Sequence, residues 1–258
     1  MTGILTATET FFLLPRRIHR KKMLPYSKSL VIIPTYNESD NVENMLTTLN
    51  GLYPELSILV IEDGSPDGTA AIVKKYQATH PNVHMIERQG KLGLGTAYIT
   101  GFKWALDKGY EFVFEMDCDF SHDPKDIQGL LAAAQNCDLA IGSRYIGGIR
   151  ILNWPMKRLL LSYFASIYTQ IITGMKIQDA TGGFKCFRAS TLRQIDLNKI
   201  FSNGYSFQIE LNYKTWKKGL KLQEVPITFS ERREGQSKMS RKIIYEAVWA
   251  VWRMRLFS

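Results

Sequence analysis

The feature that most constrains this chain is a regular alternation of short apolar runs with amphipathic segments across residues 29–143. Apolar residues at helical spacing follow each of the first three runs, and Pro124 after the fourth run is typical of a first helical position, which favours a helix after each of the four. Strands that alternate with helices imply βαβ crossovers, and continuously apolar strands are typical of a sheet covered on both faces. We therefore expect an α/β fold with a mostly parallel central sheet flanked by helices, and strands at residues 29–34, 57–63, 83–87, 111–117 and 138–143.

Polar segments follow four of the predicted strands, at the points where those strands end. Sheets of this kind bind ligands in the crevice at the carboxyl ends of their strands. The chain has neither a G-x-G-x-x-G nor a GK[ST] pattern, so the dinucleotide-binding and P-loop fingerprints are absent. The candidate ligand-binding segments are therefore residues 35–38, 63–68, 117–121 and 143–144.

Two of the polar segments allow a structural and a functional interpretation. Pro66-Asp67-Gly68 has the composition of a tight turn, whereas Asp63 just before it is a suitable acceptor for a base or a ribose. The glycines of residues 91–96 either let the backbone approach a ligand or form a plain entry to the helix that follows.

A pair of carboxylates, Asp117 and Asp119, follows the fourth predicted strand. Alone, such a pair is compatible with a turn or a helix cap. Carboxylate oxygens are also the ligands that Mg²⁺ and Mn²⁺ prefer, and these ions usually bridge to substrate phosphates. The three cysteines are widely spaced and form no Cys/His ligand pattern, which disfavours a zinc site and a disulfide framework. The position of the pair predicts a divalent metal site.

The net charge of +9 comes from the two ends of the chain. Residues 1–28 hold six Lys/Arg and one acid, residues 231–258 hold seven and three, and residues 29–230 hold twenty of each. A nucleic-acid-binding protein more often spreads basic residues over its folded body, so this distribution favours an anionic surface such as a membrane instead. Within the body, Arg144 and Arg158 are either solvated surface charges or contacts for phosphates.

No run reaches the roughly 18 uninterrupted apolar residues that indicate a membrane span. Residues 159–172 are too short for a span and predict a buried core helix, with the membrane surface as the other option. Residues 239–257 predict an amphipathic helix that either packs on the protein or lies on a membrane surface. Its predicted apolar face consists of Ile243, Ile244, Ala247, Val248, Val251 and Trp252.

Eight sequence blocks occur in order between about residues 30 and 240: VIIPTYNE, IEDGSPDGT, KLGLGTAY, MDCDFSHDP, GSRYIGG, TGGFKCF, EVPITF and RREGQSK. Together they resemble glycosyltransferase family 2 enzymes with a GT-A fold, and in particular the dolichyl-phosphate or polyprenol-monophosphate mannose synthases. The resemblance implies a GT-A domain over residues 29–238 with a Rossmann-like nucleotide-binding half. A basic tail (1–28) would precede it and an amphipathic helix (239–258) would follow it.

Enzymes of this kind transfer mannose from GDP-mannose to a dolichyl or polyprenyl phosphate, with inversion and with Mg²⁺ or Mn²⁺. Carried across block by block, the resemblance assigns the nucleotide to Pro34, Tyr36, Glu38, Ile61 and Asp63. It assigns the metal and the diphosphate to Asp117, Cys118, Asp119 and Ser121, with Asp117, Asp119 and Ser121 as metal ligands. It assigns the phosphates of donor and acceptor to Arg144, Arg158, Arg232 and Lys238, and makes Asp119 and Arg144 the catalytic residues.

The resemblance also implies a peripheral protein on the cytoplasmic side of a membrane, with no span of its own and with a separate membrane-anchoring subunit as an open option. Three other functions stay open. One is a related enzyme that uses UDP-glucose or another nucleotide sugar. The second is a non-catalytic subunit that binds a nucleotide sugar or a membrane, and the third, a nucleic-acid-binding protein, depends only on the charge.

Overall fold

The computed structural model of the chain describes residues 23–231 and the backbone of residues 241–257, with the side chains of residues 248–256. Residues 1–22 of the predicted basic tail lie outside it, and so do Arg232 and Lys238. Residues 26–28 of that tail form one 3₁₀ turn, and Tyr26 stacks on Tyr53 with ring centroids 4.9 Å apart. The division of the chain at residues 28 and 238 stays a prediction.

The secondary structure of the described residues alternates strands and helices. The strands are β1 (Ser29–Thr35), β2 (Ser57–Glu62), β3 (Val83–Glu87), β4 (Phe112–Glu115), β5 (Leu139–Ser143), β6 (Ile151–Leu152), β7 (Lys185–Arg188), β8 (Leu222–Pro226) and β9 (Phe229–Ser230). The α-helices are α1 (Val42–Leu52), α2 (Thr69–Gln77), α3 (Leu94–Asp107), α4 (Ile127–Ala134), α5 (Met156–Thr173), α6 (Ala189–Gln194), α7 (Gly204–Lys217) and α8 (Arg241–Phe257). Further 3₁₀ turns lie at Pro124–Asp126 and Leu197–Lys199.

The central sheet has seven strands in the order β3-β2-β1-β4-β7-β5-β8, and β6 pairs with β9 in a separate ribbon. Strands β1 to β4 pair in parallel, as do β5 and β8, whereas β7 is antiparallel to both of its neighbours. The expected mostly parallel sheet is thus confirmed, with one inserted antiparallel strand. Because β5 runs in the same direction as β4, the carboxyl ends of β1, β2, β4 and β5 lie along one edge.

Both faces of the sheet are buried. Side chains of a strand alternate between faces, so Val31 and Ile33 belong to one apolar layer while Leu30 and Ile32 belong to the other. Helices α1 and α4 cover the first layer, and α3, α7 and α8 cover the second. This double cover explains why the strands read as continuous apolar runs instead of alternating ones.

Gly95 lies at the start of α3, where this helix passes close to the loop before α7. A Cβ at this position would lie 2.9 Å from the Ser202 carbonyl oxygen and 2.9 Å from Phe207 Cδ2. No side chain fits there unless the backbone moves. Of the two interpretations of residues 91–96, the close packing at Gly95 supports the helix entry.

We expect Gly95→Ala to lower the free energy of unfolding by about 1–3 kcal/mol, because the added methyl group overpacks this contact. Gly51 in α1 is the matched control, since a Cβ there would meet nothing within 4 Å. Gly51→Ala should raise the free energy of unfolding by roughly 0.5–1 kcal/mol, because alanine is the better helix former. Urea unfolding measures both variants; effects of the same sign would contradict the packing argument.

Helix α5 is less buried than its composition predicts, and its fully buried residues are polar. The expected buried core helix over residues 159–172 is wrong, since Met156, Leu160, Phe164 and Ile171 are exposed while Ser166, Thr169 and Thr173 are buried. The buried hydroxyls are satisfied locally: Thr169 donates to the Ala165 carbonyl at 2.8 Å, and Thr173 donates to the Thr169 carbonyl at 2.6 Å. Such back-bonding lets small polar residues pack inward without an unpaired donor.

Helix α8 packs one side on the protein. Ala250, Val251 and Met254 are buried in the layer that α7 also covers, whereas Trp249 and Trp252 are exposed. Of the predicted apolar face, Val251 points inward, but Val248 and Trp252 are about half exposed, and the other three side chains lie outside the described ones. Within the part of the chain that the structure describes, we find no helix with the length and apolar character that crossing a bilayer requires.

Candidate active site

Two loops at the carboxyl ends of β1 and β2 are tied together by side-chain caps. The Glu38 N–H donates to the Thr69 hydroxyl at 3.0 Å, and the Ser39 N–H donates to the Asp67 carboxylate at 3.0 Å. Burial alone would raise the pKa of Asp67, but hydrogen bonds from Thr69 and Ser39 outweigh it and lower this pKa to about 2. The ionised carboxylate therefore holds the predicted turn against the β1 loop.

Asp63, the predicted nucleotide contact after β2, forms a buried ion pair with Arg88. Arg88 Nε donates to Asp63 Oδ1 at 2.6 Å, and the Leu92 N–H donates to Oδ2 at 3.2 Å. Arg88 also donates to the Thr96 hydroxyl at 2.8 Å and to the Gly93 carbonyl at 3.2 Å. Asp63 thus anchors the loop before α3 through a residue that the sequence analysis missed. The sequence signal that could have identified Arg88 is its position directly after the predicted strand at residues 83–87.

The other predicted nucleotide residues lie beside this pair. Pro34 and Ile61 are register partners on neighbouring strands, so they stand next to each other at the sheet edge. The ring of Tyr36 carries the ammonium of Lys91, whose Nζ is 4.2 Å from the ring centroid. The Ile61 side chain is fully buried in the apolar layer, so any contact from Ile61 to a ligand would come from its backbone.

Asp117 and Asp119 lie in a tight turn directly after β4. The Ser121 N–H donates to Asp119 Oδ1 at 3.0 Å, and the Asp117 N–H donates to His122 Nδ1 at 3.2 Å. Phe120, between Asp119 and Ser121, adopts a φ of 57°, a left-handed conformation that is unfavourable for a bulky residue and is concentrated at functional sites. His122, which the sequence analysis did not single out, stacks on Phe184 with ring centroids 4.9 Å apart.

Cys118, between the two carboxylates in the chain, belongs to the apolar layer of the core. Its side chain is buried among apolar residues, and burial, then the charges of Glu38 and Asp119, raise the pKa of the thiol well above its ordinary value. The thiol therefore stays protonated and is unsuited to binding a metal. A ligand contact from Cys118 would come from its backbone.

The donor atoms around this turn fit a hard divalent cation. The Ser121 hydroxyl is buried and makes no hydrogen bond within the described residues, and it accompanies the carboxylates of Asp117 and Asp119. Among the side chains that the structure describes, those of residues 23–231 and 248–256, no group of three or more His, Cys, Asp or Glu could hold an ion alone. Mg²⁺ is typically held by one or two carboxylates together with substrate phosphates. The arrangement therefore fits an ion shared between protein and diphosphate.

A buried ion pair lies behind the turn, on the face of the sheet that α3 and α7 cover. Lys185 is the register partner of Glu115, and its Nζ lies 4.0 Å from Glu115 Oε2, with both side chains fully buried. Lys185 also donates to the Gln208 carbonyl at 3.0 Å and to the Gln208 side-chain oxygen. Burial raises the pKa of Glu115 to about 7 and lowers the pKa of Lys185 to about 8, and the opposite charge of each partner limits the shift.

We expect Lys185→Met to lower the free energy of unfolding by about 3–5 kcal/mol, because Glu115 is left buried without its partner. Glu115 already has a pKa of about 7 in the unchanged protein, so both proteins lose stability alike as the pH rises from the ordinary pKa of Glu to about 7. Without the Lys185 charge the pKa of Glu115 should be higher still, so the loss caused by the variant should grow as the pH rises above about 7. The double variant Glu115→Leu/Lys185→Met, which removes both charges, should recover most of the loss. Urea unfolding across pH measures this; a double variant as unstable as the single one would contradict it.

Arg144, directly after β5, is buried with Asp179 as its partner. Its Nε donates to Asp179 Oδ2 at 2.7 Å and its Nη2 to Oδ1 at 2.6 Å, while Nη2 also reaches the Thr181 hydroxyl at 2.7 Å. Burial would raise the pKa of Asp179, but the Arg144 charge outweighs it and holds this pKa below its usual value. Nη1 of Arg144 makes no hydrogen bond to a described residue, so it is available to a ligand.

A cavity of about 270 Å³ lies between α5, α7 and α8. Arg144 and Arg158 are the charged residues among its described lining. The remaining lining is aromatic, aliphatic or hydroxyl-bearing: Trp154, Leu161, Ser162, Phe164, Ala165, Tyr168, Thr169, Thr181, Tyr205, Ile209, Val248 and Val251. The cavity therefore combines two cations with an apolar wall.

Trp154 connects the two arginines. The Arg158 guanidinium stacks on the Trp154 ring at 4.0 Å, and that of Arg144 lies 5.4 Å from the same ring centroid. The Trp154 Nε1 is buried and has no hydrogen-bond partner among the described residues. Arg158 Nη1 donates to Glu231 Oε1 at 3.2 Å. Two guanidinium groups around an unsatisfied indole N–H suit an oxyanion such as a phosphate.

The structure brings the predicted residues of the described chain to one edge of the sheet. The nucleotide and carboxylate residues lie in the last residues of β1 and β2 or in the loops after β1, β2 and β4. Arg144 follows β5 and shares the cavity with Arg158. The predicted roles of Arg232 and Lys238, which lie outside the described residues, stay predictions. Sequence reasoning missed Asp179 and Trp154. Asp179 stands two residues before the TGGFKCF block, a weak signal, whereas nothing in the sequence marks Trp154.

The model of the family "Glycosyl transferase family 2" matches residues 30–196. The chain belongs to this family. An undecaprenyl-phosphate mannosyltransferase of Micrococcus luteus is 45% identical over 227 residues, which are 88% of this chain and 93% of that protein. A polyprenol monophosphomannose synthase of Mycolicibacterium smegmatis is 44% identical over 235 residues, 90% of this chain and 89% of that protein. The family inferred from the eight blocks is confirmed.

Solved structures share the fold of this family 2 member. Glucosyl-3-phosphoglycerate synthase from Mycobacterium tuberculosis, in complex with Mn²⁺, UDP and glucosyl-3-phosphoglycerate, gives a TM-score of 0.64 at 17% identity over 88% of this chain and 79% of that one. The complex of the same enzyme with Mn²⁺ and UDP-glucose gives a TM-score of 0.64 at 16% identity, over 88% of this chain and 78% of that one. At these identities the likeness concerns the fold alone, and it confirms the expected GT-A type.

Proposed function

We propose that this glycosyltransferase moves mannose from GDP-mannose to a polyprenyl or dolichyl phosphate, with inversion and with a divalent metal. The observation that carries the proposal is the cavity, because two arginines in an otherwise mostly apolar lining match an acceptor with an anionic head and a hydrocarbon tail. The names of the two curated relatives support the same sugar and the same class of acceptor.

The loops after β1, β2 and β4 suit the donor nucleotide sugar. Tyr36, Glu38 and Asp63 offer a ring and carboxylates to the base and ribose. Asp117, Asp119 and Ser121 would hold Mg²⁺ or Mn²⁺ with their oxygen atoms. Such an ion, when bound, neutralises the diphosphate and makes the nucleoside diphosphate a better leaving group.

The acceptor phosphate needs little activation by the protein. The second pKa of a phosphate monoester is near about 6, so its oxygen is largely dianionic at neutral pH. A general base is therefore unnecessary, in contrast to transfer to a hydroxyl group. The remaining task is to bring two anions together, and Arg144 and Arg158 serve it. They hold the acceptor phosphate so that its oxygen attacks the anomeric carbon opposite the leaving diphosphate, which inverts that carbon.

Because the acceptor is a lipid, we place the reaction at the cytoplasmic side of a membrane, with the chain as a peripheral protein. A separate membrane-anchoring subunit is compatible with this arrangement. Turnover of a membrane-embedded acceptor by the purified chain alone would show that no such subunit is needed.

A transfer assay with the purified protein tests the proposal. Labelled GDP-mannose and UDP-glucose are each offered with Mg²⁺ or Mn²⁺ and a polyprenyl phosphate. We expect transfer from GDP-mannose that a chelator abolishes. Transfer from UDP-glucose alone would overturn the assigned donor, and donor binding without any transfer would favour the non-catalytic subunit. Salt-dependent binding of RNA in place of transfer would favour the nucleic-acid-binding alternative.

A further inference from the structure

An apolar band covers the outer side of α5 and α8. We define it by Met156, Leu160 and Phe164 on α5 and by Trp249, Trp252 and Leu256 on α8, whose exposed fractions lie between 46% and 66%. Within each helix these residues are three or four positions apart, so they share one side. The Tyr168 hydroxyl donates to the Val248 carbonyl at 3.2 Å and joins the two helices. The band therefore consists of exposed apolar residues on two helices that are in contact.

The band is unusual for a water-exposed surface. A surface helix of a globular protein turns its apolar side inward, whereas α5 buries Ser166, Thr169 and Thr173 and exposes Met156, Leu160, Phe164 and Ile171. Large exposed apolar patches mark sites where a protein or a membrane is bound. Among the described residues, none covers the exposed side of α5.

The cavity reaches the surface at this band. Phe164 and Val248 both line the cavity, and they are 59% and 43% exposed. A hydrocarbon chain whose phosphate lies at Arg144 and Arg158 can leave the protein between these two side chains. The cavity, at about 270 Å³, lies just below the range of roughly 300–1,000 Å³ that is typical for drug-sized ligands. It is too small for a long polyprenyl chain.

The charges beside the band identify the kind of partner. α5 contains no acidic residue, and Lys157 at its start is exposed. Arg253 and Arg255 are exposed on α8 beside the tryptophans. Tryptophan rings next to basic residues are typical of helices that lie in the interface of a bilayer, and basic residues attract anionic lipids. The charge and the apolar side chains together match a lipid surface better than a second protein with an ordinary polar rim.

We propose that the apolar band seats the protein on a bilayer that contains anionic lipid, with the opening of the cavity against the lipid. The acceptor would then enter with its phosphate and first few isoprene units only, and the rest of its chain would stay in the bilayer. This inference depends on the proposed function for what enters the cavity. The binding of lipid itself requires no acceptor and is tested without one.

Flotation of the full chain with vesicles of phosphatidylcholine, with and without phosphatidylglycerol and without acceptor, tests the band. Leu160→Glu and Trp249→Glu each place a carboxylate on it and should each lower the bound fraction about tenfold. Leu52→Glu is the matched control: Leu52 is 40% exposed on α1, which packs on the opposite face of the sheet. We expect Leu52→Glu to bind vesicles like the unchanged protein.

Three results would overturn the proposal: binding unchanged in both band variants, an equal loss in Leu52→Glu, or a dimer in sedimentation that Trp249→Glu dissociates while vesicles are not bound. A second measurement uses the unchanged protein and so does not depend on whether a variant folds. Brominated lipid should quench its tryptophan fluorescence, and the absence of quenching would also overturn the proposal. Transfer to a short, water-soluble prenyl phosphate should stay normal in the band variants. If the unchanged protein fails that transfer, the proposed function fails, while vesicle binding still decides on the band.

Discussion

Asp119→Asn is expected to abolish sugar transfer, with a decrease in kcat of about 10³-fold or more. Asparagine keeps an oxygen that can accept the Ser121 N–H, which donates to Asp119 Oδ1 at 3.0 Å, so the turn after β4 should be preserved. It removes the negative charge with which a divalent cation would be held. The expected decrease corresponds to about 4 kcal/mol of transition-state stabilisation, a size that charge stabilisation by a bound metal supplies.

The control for this variant lies four residues further along the chain. Asp123 Oδ1 accepts the Lys125 N–H at 3.0 Å as a helix cap, and asparagine caps a helix equally well. Asp123→Asn therefore removes the same charge close to the site and should leave kcat unchanged. Transfer is measured for both variants over a titration of Mn²⁺, with unfolding followed in parallel. A folded Asp119→Asn protein with native turnover would refute the role of Asp119.

The sequence predicts the strands and the edge at which the site lies, because both depend on local patterns. The ends that the apolar runs predict for β1, β2, β4 and β5 lie within two residues of the observed ends. The carboxyl ends of strands that run in the same direction meet at one edge of the sheet. The antiparallel β7 was not predicted, since its place between β4 and β5 depends on pairings with distant residues. Lys185 can be buried because Glu115, seventy positions earlier in the chain, lies beside it with the opposite charge.

The prediction for α5 failed for a different physical reason. Composition correctly indicates a helix, but the side that a helix buries depends on which neighbours it meets and on whether its polar groups can be satisfied. Thr169 and Thr173 satisfy their hydroxyls on the preceding turn and pack inward. Several large apolar residues of the helix, Met156, Leu160, Phe164 and Ile171, are therefore left on its exposed side. In the same way, the sequence alone does not distinguish Arg144 from a surface cation, because its burial depends on the ion pair with the distant Asp179.

Arg144→Lys is expected to lower kcat/KM for the acceptor by about 10²–10³-fold. The guanidinium of Arg144 makes two parallel bonds to Asp179 and has Nη1 left over, whereas one ammonium group cannot hold Asp179 at two oxygens and also meet a phosphate. Loss of one preorganised contact to a reacting anion costs about 2.7–4 kcal/mol. The positive charge is kept, so the expected loss measures geometry and not charge.

Arg188→Lys is the matched control for generic damage, because Arg188 is part-buried and its Nε donates to the Ala134 carbonyl at 2.7 Å, outside the cavity lining. It should lower stability but leave kcat/KM for the acceptor close to native. Steady-state kinetics with a short, soluble prenyl phosphate separates the KM of the acceptor from the KM of the donor. We expect Arg144→Lys to change kcat/KM for the acceptor and to leave the KM of the donor unchanged. An equal rise of the donor KM would instead place Arg144 on the donor diphosphate, and the acceptor phosphate would then depend on Arg158, whose guanidinium stacks on Trp154 within the same cavity.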